Sequence, residues 1–177
     1  ICKKLLTSHA FHSPMMDSIV APFEKLVAGV KLNVPFLPVI STATAQLLSA
    51  EEATDPRYWS AHLRKPVLFA DAIRTIWGQD PTRFLLELGP RNTATTLARQ
   101  QAQDLKKQFA FPSLADTAAD DKEWQSMLYA IGQLWLSGIN IQWNDFYLTE
   151  KRKKISLPTY PFEKKRYLVE PGVVQNN

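Results

Sequence analysis

Residues 83–103 read RFLLELGPRNTATTLARQQAQ, and this stretch decides the fold class. Arg83 to Leu88 is a short apolar run bounded by Gly89-Pro90, which predicts a strand with an abrupt end. Thr93 to about Gln103 predicts a helix whose N-terminus lies beside that break. Strand, tight turn and helix in succession is the pattern of a parallel α/β sheet. Downstream, Phe109–Leu114 predicts a second extended piece. Upstream, Pro66 opens a helix carrying Val67, Phe69, Ala70, Ile73, Ile76 and Trp77, stopped by Gly78.

Farther out, Ser13 and Pro14 cap and open a helix over 13–30. Its apolar face is Met16, Ile19, Val20, Phe23, Leu26 and Val27; Pro22 should kink or divide it, and Gly29 end it. FLPVISTA at 36–43 predicts a short strand, 44–55 a loop, and Pro56–His62 a helical turn packed by Tyr58 and Trp59. Asp120–Ser137 predicts a long helix, with capping-box spacing at Asp120 and Glu123 and an apolar stripe at Trp124, Leu128, Ile131 and Trp135. Gly138 is its natural C-terminal cap. INIQWNDFY then predicts an extended or loop-like run. LPTYPFEKKRYL, with two prolines and three aromatics, predicts an extended segment that places Tyr160, Phe162 and Tyr167 into another surface.

The chain has 177 residues, 45% hydrophobic and 21% charged, with a formal net charge of +4, so it should form a core and is not disordered throughout. The charge is local. Residues 151–167 hold seven basic groups against the single acid Glu163, a net of +6, while the other 160 residues hold 14 basic and 16 acidic groups, a net of −2. A basic tail can bind nucleic acid or a membrane surface, but no nucleic-acid-binding signature accompanies it, and a solvated basic stretch, or one facing an acidic partner domain, is the plainer reading. The single cysteine, Cys2, excludes an internal disulfide and a Cys-rich zinc site. No apolar run approaches the ~20 residues of a membrane helix. The N-terminus has no signal-peptide pattern, and the lack of an initiator Met suggests a chain cut from something larger.

The titratable candidates are His9, His12 and His62. The three-residue spacing of His9 and His12, with Cys2 and Asp17 nearby, is weak grounds for a metal site, and none is expected. Histidine is the usual base for activating a serine, because its proton moves either way near neutrality. Such a serine needs a strained elbow, commonly G-x-S-x-G, and none of the six glycines frames one. On spacing alone, His12 stands between a base lacking its nucleophile and a structural histidine. P-loop, G-x-G-x-x-G and H-E-x-x-H motifs are absent, so no bound cofactor is expected.

Five ordered blocks carry a resemblance. Ser8-His9-Ala10-Phe11-His12-Ser13-Pro14-Met15-Met16, Tyr58-Trp59 with His62-Leu63-Arg64-Lys65-Pro66-Val67, Phe84-Leu85-Leu86-Glu87-Leu88-Gly89-Pro90, Pro112-Ser113-Leu114 with Gly138 to Trp143, and Leu157-Pro158-Thr159-Tyr160-Pro161-Phe162 with Arg166-Tyr167 stand in the order of one family. The chain resembles the C-terminal part of the acyltransferase domain of a modular type I polyketide synthase, followed by the post-acyltransferase linker. It departs from that pattern at Arg91-Asn92 and at Leu168.

The resemblance implies the C-terminal portion of an α/β-hydrolase-like core, a parallel sheet with flanking helices, over 1–108. A helical and extended linker over 109–168 follows, with a helix at 120–138, and then a flexible C-terminus over 169–177. It implies His12 as the catalytic general base, the backbone carbonyl of His62 as the group that orients the imidazole, and His9 and Phe11 as selectors of malonyl over methylmalonyl. The implied substrate is malonyl-CoA, and the acceptor is the phosphopantetheine thiol of an acyl carrier protein. The implied partners are the N-terminal half of the acyltransferase, which would carry the serine, a ketosynthase domain and the carrier protein, in a cytoplasmic, homodimeric synthase. Neither nucleic acid nor membrane is among them. Without its other half, the chain is expected to expose strand edges and to aggregate, rearrange or pair with itself.

Overall fold

A computed structural model describes residues 8–115, 120–150, 153, 155–163 and 165. Two compact units result, one within Ile1–Asn140 and one within Ile141–Asn177. The expectations for Cys2, Tyr167, Leu168 and 169–177 lie outside the described residues.

The first unit is built on strands β1 (Leu85–Glu87) and β2 (Ala110–Pro112), joined by helix α5 (Thr93–Arg99). The strands are parallel, with Leu85 opposite Ala110, Leu86 opposite Phe111 and Glu87 opposite Pro112. This is the α/β unit expected from 83–114, with shorter elements. Leu85 N–H donates to Phe109 O (2.9 Å) and Ser113 N–H to Glu87 O (3.0 Å). Because Ser113 N faces β1, the nitrogen of Pro112 faces away, so the missing N–H costs no bond in this ladder.

Alternation along the strands sorts the side chains. Leu85 and Ala110 meet Ile73, Trp77 and Ala98 from α4 (Phe69–Gln79) and α5 in the core. Phe84, Phe109 and Phe111 form a near-parallel stack, with centroids 5.7 to 6.5 Å apart. Glu87 closes the turn after β1. Its carboxylate accepts Ala94 N–H (3.0 Å) and Thr95 N–H (2.8 Å) at the start of α5, where Asn92 gives no side-chain cap. Burial alone would raise the Glu87 pKa, but those bonds outweigh it and hold the carboxyl below the usual glutamate value. The positive φ in this turn belongs to Arg91 (73°), not to Gly89.

Several expectations give way. FLPVISTA makes no strand: Ile40 and Leu47 form a single antiparallel bridge around a tight turn in which Ser41 Oγ accepts Ala43 and Thr44 N–H. Pro35 and Pro38 remove donors a longer ladder would need. The expected loop contains α2 (Ala50–Thr54), held by a full Ser49/Glu52 capping box. The helix expected from Pro66 begins at Phe69 and runs through Gly78 to Gln79, because Lys65 is extended (φ −68°, ψ 148°) and residues 66–68 join no helix. At the N-terminus, a single 3-10 turn, Pro14–Met16, precedes α1 (Asp17–Ala28), and Ser13 accepts Met15 N–H as its cap. Pro22 sits inside α1 without dividing it. Both Pro22 and Ser18, whose carbonyl loses its helical donor, are exposed, so water can serve that carbonyl.

Helix α3 (Pro56–Arg64) is longer than the turn expected and is capped by the Asp55 side chain, which accepts Arg57 N–H. It packs along α1 through Ser60, whose small, buried side chain donates to Arg57 O (3.1 Å). Helix α6 (Asp120–Leu136) ends in a Schellman motif: Gly138 takes φ 87°, its N–H donates to Trp135 O (3.0 Å), and Ile139 N–H donates to Leu134 O (3.0 Å). Glu123 Oε2 accepts Ala115 N–H (3.1 Å); the expected pairing with the Asp120 side chain lies outside the described residues. The buried side of α6 centres on Ala130, and Trp124, Leu128 and Trp135 of the expected stripe are exposed. No helix among the described residues is long and apolar enough to cross a membrane.

In the second unit, Trp143–Phe146 forms a short helix, α7, where an extended or loop-like run was expected. Trp143 stacks on Tyr147 at 6.2 Å. Residues 155–163 carry no helix or strand, in keeping with their prolines. Tyr160 and Phe162 are 73% and 77% exposed and touch edge to face at 4.9 Å.

Candidate active site

The C-terminus of α3 organises the candidate site. A helix end leaves carbonyls without helical donors and carries partial negative charge. His12 meets several of these at once. Its backbone N–H donates to Leu63 O (3.1 Å). Its Nδ1 lies 3.1 Å from His62 O and 2.8 Å from Lys65 O. Both partners are carbonyls and can only accept, so Nδ1 carries the proton. In the neutral ring the Nε2 lone pair is then free, and among the described residues it has no hydrogen-bond partner.

His12 reaches this position through a left-handed backbone, φ 60°, an unusual state for a non-glycine residue that costs on the order of 1–3 kcal/mol. The following residue helps hold it: Ser13 Oγ donates to Ala10 O (2.5 Å) and accepts Met15 N–H (3.2 Å). Arg64 pairs with Asp17, tying the end of α3 to the start of α1.

His62 faces the same place from α3. Its ring lies edge to face with His12, centroids 5.9 Å apart, and its Nε2 is 3.1 Å from Thr42 Oγ1. Burial first, and the neighbouring His12 second, push the His62 pKa below the ordinary histidine value. Both causes favour the neutral ring of His62. Tyr58 OH and Ser41 Oγ share a 2.5 Å hydrogen bond that fixes the turn bearing Thr42 against α3.

Of the residues singled out in the sequence, His12 and His62 come together, although 50 positions separate them. His9 is exposed and its Nδ1 bonds its own neighbour, Ser8 Oγ, at 2.9 Å. Phe11 is exposed beside His12 in the chain. The Lys65 carbonyl, closer to Nδ1 than that of His62, was not anticipated. Its only sequence signal is the following proline, which forces the preceding residue out of the helical region.

No family model matches the chain. Polyketide synthase GfsB of Streptomyces halstedii is 33% identical over 168 residues, 95% of this chain and 3% of that synthase. The acyl transferase domain of ZmaA superposes with a TM-score of 0.74 at 31% identity, over 83% of this chain and 34% of that one. The acyltransferase domain from the second module of the salinomycin polyketide synthase gives 0.73 at 34% identity, over 88% of this chain and 35% of that one. The chain thus spans about a third of each domain and a few per cent of the synthase. In sequence and in backbone, the chain resembles the C-terminal part of the acyltransferase domain of a type I polyketide synthase.

Proposed function

We propose that the chain is the histidine-bearing part of a malonyl-type acyltransferase that loads an acyl carrier protein. The observation that carries this reading is the His12 ring, with Nδ1–H committed to two backbone carbonyls and Nε2 unengaged. Those carbonyls do the orienting work that an Asp side chain does in a Ser-His-Asp triad. In the proposed reaction, Nε2 takes the proton of an active-site serine outside this sequence while the serine Oγ attacks the thioester carbonyl of malonyl-CoA. The tetrahedral intermediate collapses, the C–S bond breaks, and the coenzyme A sulfur leaves with the proton from Nε2. The phosphopantetheine thiol of the carrier protein then gives its proton to Nε2 and attacks the seryl ester. The serine oxygen leaves and recovers the proton. The α3 carbonyls face the positive charge the ring holds between these steps.

His9 and Phe11 would select malonyl, Phe11 by filling space next to the substrate's α-carbon. One methyl group is worth about 1–3 kcal/mol in such discrimination. The test complements the chain with the serine-bearing portion of the domain and follows malonyl transfer to a carrier protein. His12→Ala should lower the rate ~10²–10⁴-fold, the usual worth of a positioned base, and Phe11→Ser should raise methylmalonyl relative to malonyl. Full activity in His12→Ala would remove the assigned role.

On this reading residues 1–108 belong to the acyltransferase core and 109–168 to the linker, in a homodimeric, cytoplasmic synthase that engages neither nucleic acid nor membrane. A second, compatible role for the linker is docking on a ketosynthase domain. The exposed apolar side chains of Ile155, Leu157, Tyr160 and Phe162 on an extended, proline-spaced segment favour it. Replacing Tyr160 and Phe162 together by Ala in the full chain should weaken ketosynthase binding at least tenfold, as for paired aromatic anchors. Unchanged binding in a titration would count against docking through this segment.

A further inference from the structure

We infer that Pro66 is a positioning residue for the His12 imidazole, because one proline leaves the His62 carbonyl open and turns the Lys65 carbonyl toward Nδ1. In an α-helix the N–H of residue i bonds the carbonyl of residue i−4. At the end of α3, Lys65 N–H does this, donating to Ala61 O at 2.9 Å. The next donor in the series belongs to residue 66 and would take His62 O. Residue 66 is proline, which has no N–H, so His62 O stays open and Nδ1 of His12 occupies it at 3.1 Å.

The proline acts a second time through the residue before it. Its ring bars Lys65 from the helical region. Lys65 accordingly sits at φ −68°, ψ 148°. This turns its carbonyl off the helix direction and onto Nδ1 at 2.8 Å. From there the chain reaches Leu68, whose N–H donates to Thr42 O (2.8 Å), on the residue whose hydroxyl meets His62. The carbonyl pair is therefore a local consequence of the Lys65-Pro66 bond and does not depend on a second acidic side chain.

With alanine at position 66, an N–H appears that competes for His62 O, and Lys65 is free to continue α3, which swings its carbonyl along the helix axis. The ring then loses the bias that places its proton on Nδ1. The inference rests on the transferase reading only for its effect on rate; the proton's location is measurable without activity.

The experiment labels the three histidines of the full chain with nitrogen-15 and reads their tautomers by magic-angle-spinning NMR, which works whether or not the chain self-associates. The His12 signals are identified by their loss in His12→Gln. The parent chain should hold its neutral His12 with the proton on Nδ1. Pro66→Ala should lower the Nδ1–H to Nε2–H ratio about tenfold, the worth of one such hydrogen bond, with His9 unaffected. N-methylalanine at position 66, introduced by ligation, also lacks the N–H and crowds the preceding residue, and it should restore the parent ratio. An unchanged ratio in Pro66→Ala, or no restoration by N-methylalanine, overturns the inference. If Pro66→Ala does not fold, the parent spectrum still decides, since a proton on Nε2 overturns it outright. Normal tautomers with no acyl transfer in the complementation assay would instead count against the transferase reading alone.

Discussion

His62 and His12 are two histidines with opposite assignments at one helix end. His12 gives its Nδ1 proton to backbone carbonyls and presents Nε2, whereas His62 is set among Thr42, Tyr58 and His12 with its pKa pushed down. The His62 shift has a consequence for stability. A group whose folded pKa lies below its unfolded value, 6.5 for histidine, binds fewer protons when folded. Above 6.5 both states are neutral and nothing is lost. As pH falls below 6.5 the unfolded chain gains a proton that the folded chain does not, and stability declines until the folded value is reached. Urea titrations between pH 7.5 and 5 should show this loss, and His62→Gln should flatten it. An equal slope in the variant would assign the acid sensitivity to other groups. Spacing alone did not pair the two histidines; the resemblance did, by setting the His62 carbonyl against the His12 ring, while the Lys65 carbonyl, a backbone group, has no side-chain letter to betray it.

At the scale of elements, local signals succeeded where one segment decides its own conformation. Arg83–Leu88 and Phe109–Leu114 are short apolar runs with breaks on the correct side, and they became β1 and β2. Gly138 announced the end of α6 because a left-handed C′ position favours glycine. Ser49-x-x-Glu52 announced α2 equally clearly, as a capping box, but the polar run around it read as loop. Apolar content misled at 36–43, where a strand needs a neighbour as well as a sequence. Pro22 is the sharpest case of packing overriding propensity. It occupies the sixth position of α1, removes the donor for Ser18 O, and the helix still runs through it against α3. The helix therefore carries a removable cost. Pro22→Ala restores the donor and relieves the ring clash, worth up to ~3 kcal/mol in a helix interior, less about 1 kcal/mol for the greater freedom of the unfolded chain. The expected result is a gain of about 1–2 kcal/mol in chemical denaturation, the reverse of most substitutions. A loss would mean that a bend at Pro22 is required for α1 to follow α3.

At the scale of the whole molecule, the described residues leave many large apolar side chains in solvent. Leu26 on the face of α1 expected to be buried is 71% exposed, Phe36 95% and Leu88 83%. The outer edge of β1 has the same character. Leu85 N and Glu87 O face β2, so the backbone groups of Leu86 face the other way, and among the described residues no strand meets them. A cavity of about 260 Å³ lined by Phe69, Ile73, Leu86, Thr95 and Ala98 lies along that edge, and the buried Thr95 Oγ1 has no hydrogen-bond partner among the described residues. An open ladder edge beside an apolar hollow is a template for another strand. Alone at tens of micromolar the chain should therefore self-associate, giving a sedimentation coefficient that rises with concentration and strong binding of an apolar-sensitive dye. On the transferase reading, adding the serine-bearing portion of the domain should suppress both by competing for the same edge and hollow. Lysine at Leu86 should reduce self-association by placing a charge there. A monomer with a single cooperative melt across the concentration range would mean that the exposed faces close on one another in solution, and the partner-dependent reading of this surface would fail.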